Sequence, residues 1–204
     1  MMFALTDFLV VLGCGLGIWR LWPHRRKGDV RMVRLGLAFI GLAALVGVVR
    51  FATGQVEGLA QWHSLASTFA GAAGMLLIAL GVAWEAFPIR LPSGVGRYLR
   101  IGIPVLILGM MAWPGSADLL ALLPKLALLL GLAASIALLV HRRWQTGLLW
   151  LFAWLLLGFA SVVIGGSREE TTFGIANWHI YHTLLAFWTV LAGEGIRRVI
   201  ASRA

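Results

Sequence analysis

What most constrains this chain is its division into seven apolar runs, at about 3–22, 32–52, 61–86, 98–113, 117–140, 146–165 and 175–200, joined by short polar connections. A helix rises 1.5 Å per residue, so about 20 residues are needed to cross the roughly 30 Å of bilayer hydrocarbon. Most of the runs approach that length, and none of the connections is long enough to fold as an extramembrane domain. The predicted fold class is therefore all-α. The chain reads as one integral membrane domain over residues 1–204, a polytopic bundle of seven transmembrane helices with the lipid bilayer as its solvent. With 60% of its 204 residues hydrophobic and only 12% charged, it lies well outside the range of soluble domains.

The fourth run is short, and the stretch "WPGSAD" separates it from the fifth. Pro114 and Gly115 supply turn chemistry, and Asp118 is predicted to cap the next helix. Charge tests that division. With seven spans, 14 of the 17 Lys and Arg residues fall on one face: the first connection (Arg20 to Arg34), the third (Arg90, Arg97, Arg100), the fifth (Arg142, Arg143) and the C-terminus (Arg197, Arg198, Arg203). Arg50 and Arg168 fall on the other face and Lys125 within a span. Merging the fourth and fifth runs would split the basic connections between the two faces, which the positive-inside rule disfavours. The same rule predicts the N-terminus outside, the C-terminus in the cytoplasm, and the cell's inner (plasma) membrane as the location. It also accounts for the net charge of +9 without nucleic acid, because the cations lie between apolar runs and not in a stripe on a polar domain.

Smaller features are read by the same logic. Trp19, Trp22, Trp84 and Trp144 fall at predicted inner ends and Trp62, Trp113 and Trp178 at outer ends, as interfacial rings do. The pairs Gly13/Gly17 and Ser67/Gly71 are spaced for close helix approach within the bundle. The lone Cys14 excludes an intrachain disulfide. Although "VLGC" resembles a lipoprotein cleavage box, bulky Leu12, early Asp7 and the lack of a basic leader argue against cleavage.

Polar side chains within spans are costly and mark candidate sites. The outer ends of the first, second, third and seventh runs carry Asp7, Arg50, His63 with Ser64 and Ser67, and Asn177, His179, Tyr181 and His182. His179 and His182 stand at i and i+3, near neighbours on a helix surface. With His63 they would make a three-imidazole set of the kind that holds catalytic zinc with one position open. Asp7 would then act as a base or orient a ligand histidine. Two other readings use the same residues: a hydrogen-bonded structural cluster, or a haem b held axially by His63 and either His179 or His182. Elsewhere Glu194 is placed to pair with Arg197 and Arg198, Glu85 to reach the interface beside "FPIR", and Lys125 to snorkel outward or to pair with Asp118. The loop "GGSREETTFGIAN", with Glu169 and Glu170, lies beside the seventh run, as an exposed loop or as a lid over the histidines.

Seven spans with a histidine early in the third and a histidine pair in the last resemble the superfamily of membrane hydrolases that includes alkaline ceramidases and adiponectin receptors. The pairs Thr6-Asp7 and Tyr181-His182 also resemble the early "TD" and late "YH" of an uncharacterised bacterial seven-helix family. The chain departs from the hydrolases in that its last-run histidines are three residues apart rather than four. The resemblance implies zinc on His63, His179 and His182, with Asp7 or Ser67 as acid or oxyanion helper. It also implies a lipid amide or ester substrate entering sideways from the bilayer. Set against the hydrolase is a non-enzymatic subunit of a larger membrane complex, associated with partner membrane subunits. A transporter is disfavoured by the lack of an inverted repeat.

Overall fold

The computed structural model describes residues 2–87, 92 and 94–201. Arg90, Arg203 and most of "FPIR" lie outside the described residues. Seven helices form: α1 (Met2–Arg20), α2 (Gly28–Ala52), α3 (Ala60–Ala86), α4 (Val95–Met111), α5 (Ala117–Val140), α6 (Trp144–Ile164) and α7 (Asn177–Ala201). Five of them, α1, α2, α3, α5 and α6, are long and apolar enough to cross a membrane. α4 has 17 residues and encloses Pro104. α7 has 25 but carries polar residues at both ends. The exposed surface of the helices is rich in Leu, Val, Phe and Trp, consistent with a lipid environment.

The break between the fourth and fifth runs is real. Gly115 adopts φ +94°, a left-handed conformation open to glycine at little cost. Ser116, not Asp118, occupies the cap position, and its hydroxyl donates to the carbonyls of Met110 and Trp113. Asp118 sits in the first turn of α5, where a negative charge complements the helix dipole.

Helices α1, α2, α3, α5, α6 and α7 pack in that order around a ring, with α7 returning to α1, while α4 leans from outside on α2, α3 and α5. The closing α1–α7 contact depends on the predicted small residues: a Cβ built at Gly193 would lie 2.6 Å from the Gly17 backbone, and one at Gly13 2.7 Å from the Ala186 carbonyl. Between α6 and α7 the core is aromatic. Trp150, Trp154 and Trp188 are fully buried, with Trp154 against Trp150 and Trp188 at ring separations of 6.1 and 5.4 Å. Two helices contain a widened π turn, α3 at Ala70–Gly74 and α6 at Ala160–Ile164. A short antiparallel hairpin, β1 (Thr171–Thr172) with β2 (Ile175–Ala176), leads into α7.

Candidate functional site

The site forms where α1 and α7 begin, α2 ends and α3 begins. α7 is anchored there by Asn177, whose side-chain amide donates to the Ile164 carbonyl (2.8 Å) and whose Oδ1 accepts from Thr172 Oγ1 (2.7 Å). That joins the end of α6, the hairpin and the start of α7, and it fixes the rotation of α7 about its axis.

With α7 so turned, His182 points into the bundle, buried at 9% exposure. Its Nδ1 lies 2.9 Å from the Trp178 carbonyl one turn back. A carbonyl can only accept, so Nδ1 carries the proton, and in the neutral ring Nε2 is left with its lone pair. That Nε2 lies 3.2 Å from Oδ1 of Asp7. Asp7 is 0% exposed; neither carboxylate oxygen meets strict hydrogen-bond geometry, but the Trp178 indole N–H is near enough to donate weakly and the Arg50 guanidinium acts on the carboxylate through its charge. A lone pair and a carboxylate thus face each other away from water. A buried carboxylate facing a lone pair is costly; a proton or a metal ion between the two groups would relieve that cost, as the Arg50 charge and the Trp178 N–H do in part.

His63, in the first turn of α3 and also buried, comes close to the same carboxylate. The two meet over Gly47 of α2. A Cβ built there would overlap the Asp7 carboxylate and come within 2.9 Å of His63 Nε2, so any larger residue would occupy the space between acid and imidazole. Trp178 covers the group. Its indole stacks on His182 at 4.2 Å between ring centroids and lies 5.7 Å from His63, with Phe3 and Phe51 against its edges.

Beneath His63 and His182 is a cavity of about 100 Å³, otherwise lined mainly by apolar residues of α1, α2, α3 and α7 together with Ser67 and Tyr181. At roughly 30 Å³ per water it holds about three. Ser67 is exposed at its rim, so the cavity opens sideways along α3. The π turn one step further along the same helix adds Ala70 and Gly71 to the wall.

The structure therefore brings together Asp7, His63 and His182, with Ser67 at the rim. It places His179 differently: its Nδ1 lies 3.3 Å from Thr6 Oγ1 and its ring stacks on Phe3 at 4.6 Å. Among the described residues no three or more His, Cys, Asp or Glu side chains are grouped as a metal-ligand set. Trp178 and Gly47 are the participants that sequence reasoning missed. The first was legible, since Trp178 stands four residues before His182 on the same helical face. No protein-family model, curated protein or solved structure matches this chain.

Proposed function

We propose that the protein is a membrane-embedded hydrolase of lipid amides or esters whose zinc is held by Asp7, His63 and His182. The observation that carries this reading is the Asp7 carboxylate, fully buried and 3.2 Å from Nε2 of His182, whose lone pair faces it. Two imidazoles and a carboxylate are an established donor set for catalytic zinc, and such a site keeps a position open. When bound, zinc makes a water acidic enough to serve as nucleophile near neutral pH. Asp7 would help to hold the zinc and would accept the proton of an attacking water. Ser67, at the rim, is placed to donate to the carbonyl oxygen of a substrate lying against α3. The cavity is too small for an acyl chain, so the lipid stays in the bilayer and presents only its scissile bond.

This ligand set differs from the three-histidine set that the spacing predicts, with the Asp7 carboxylate in place of His179. His179 instead supports the first turns of α1 through Thr6. The reading also places seven spans in the inner (plasma) membrane, N-terminus outside, so that the site lies at the outer surface and the basic connections in the cytoplasm. The test is hydrolysis of a short-chain ceramide and of a matching ester in mixed micelles. Turnover that is abolished by a chelator, restored by zinc and lost in His182→Ala supports the proposal. Turnover indifferent to chelation, or none for either substrate in zinc-loaded protein, refutes it.

A further inference from the structure

Among the described Lys and Arg residues, Arg50 and Arg168 lie at the site end of the bundle outside a helix interior, and both sit over the same ring. The guanidinium of Arg50 lies 5.1 Å from the Phe51 ring centroid and that of Arg168 lies 6.0 Å from it. Phe51 in turn packs 5.6 Å from Trp178 and 6.4 Å from His63. Two cations from separate segments, the last turn of α2 and the loop before the hairpin, thus converge on the aromatic cover of the site.

Topology does not explain this pair, because the positive-inside rule accounts for arginines at the opposite end. Nor does folding use up their donors. Arg50 is 6% exposed and its Nε donates to the Val56 carbonyl at 2.6 Å, which ties down the α2–α3 connection. Guanidinium has five N–H donors, and four of them are on the two Nη atoms. Among the described residues no carboxylate lies within ion-pair distance of Arg50 or Arg168, although Glu169 and Glu170 follow Arg168 in the chain. The acid whose charge reaches Arg50 is Asp7, which lies beyond ion-pair distance, so the Nη donors of Arg50 remain open to an anion at the mouth of the site.

We infer that Arg50 and Arg168 form a phosphate clamp at the mouth of the site. It deepens the proposed hydrolase, and rests on that reading for its place in the reaction, by assigning it a substrate with a phosphate group a short distance from the scissile bond. Two guanidinium forks suit a phosphate's several acceptor oxygens. The depth suits a phospholipid headgroup, since Arg50 ends its helix where hydrocarbon gives way to the interface. Free phosphate or a soluble phosphate ester offers the same chemistry.

The test uses the whole chain in a phosphate-free neutral detergent and follows its thermal unfolding midpoint. The probes are inorganic phosphate, a short-chain phosphatidylglycerol and a short-chain diacylglycerol that lacks the phosphate. The native chain is expected to be stabilised saturably by the phosphate-bearing probes and not by diacylglycerol, and Arg168→Gln to bind them about tenfold more weakly. Because Arg50→Gln perturbs a loop anchor, exposed Arg168 carries the decision. Tighter binding of phosphatidylglycerol than of inorganic phosphate identifies the headgroup as the source, and the reverse order identifies a soluble phosphate. Equal affinity in the native chain and Arg168→Gln, or no stabilisation of the native chain by either phosphate probe, overturns the clamp. Zinc is measured on the same samples: arginine-dependent binding without zinc keeps the clamp and removes the hydrolase, whereas zinc with arginine-independent binding does the opposite.

Discussion

Two carboxylates mark opposite ends of the α1–α7 pair, and their surroundings differ in kind. Glu194, near the end of α7, accepts two hydrogen bonds from Arg197 (2.8 and 2.7 Å) and one from Arg198 (2.8 Å), and pairs across to Arg20 of α1 at 3.5 Å. Asp7, near the start of α1, is more deeply buried and has only a weak donor in the Trp178 indole. Glu194 is served by cations three and four residues further along its own helix, a local solution. Asp7 is enclosed by α2, α3 and α7 with two imidazoles and a glycine, and the fixed charge that reaches it, Arg50, comes from another helix and makes no ion pair with it. The first carboxylate is satisfied by its own helix and the second is not, and on the proposed reading the second serves a ligand.

The contrast can be broken from either end. The largest effect is expected from Gly47→Val, which fills the space between Asp7 and His63. It should abolish zinc binding and cost about 1–3 kcal/mol through overpacking, read from metal content and from denaturant unfolding. Next, Asp7→Asn should stabilise the metal-free chain by about 1 kcal/mol while abolishing turnover, because an amide N–H can donate to the His182 lone pair where a carboxylate cannot. Glu194→Gln should have the opposite sign and a smaller size, a loss of about 0.5 kcal/mol that shrinks further in high salt, since its arginine partners are largely solvent-facing. If both carboxylate variants shift the unfolding midpoint in the same direction, the two ends do not differ as argued. Smallest of all, His179→Ala should leave zinc content unchanged and lower stability only slightly, through its contacts with Thr6 and Phe3.

Much of the helix layout was legible because hydrophobic length is a property of single segments. The helix limits lie within a few residues of the apolar runs, and Gly17 closes on Gly193 as small-residue spacing predicts. The pairing of Glu194 with Arg197 and Arg198 was equally local. The site was legible in part. Depth along the runs brought Asp7, His63 and His182 to one level, but not the roles of His179, Trp178 and Gly47. Residues at i and i+3 point about 60° apart on a helix with 3.6 residues per turn. On α7 that angle is enough to send His182 inward and His179 toward the start of α1. Trp178 was read as an interfacial ring, although its register with His182 makes it the cover. Gly47 has no local signal at all, because its importance comes from Asp7 and His63, which reach it from other helices.

The most direct test of the account is elemental analysis of the purified chain and of four variants, Asp7→Asn, His63→Ala, His182→Ala and His179→Ala. The account predicts about one zinc per chain in the native protein and in His179→Ala, and loss of it in the other three. A native chain without zinc, or zinc that survives Asp7→Asn but not His179→Ala, would contradict the Asp7–His63–His182 centre.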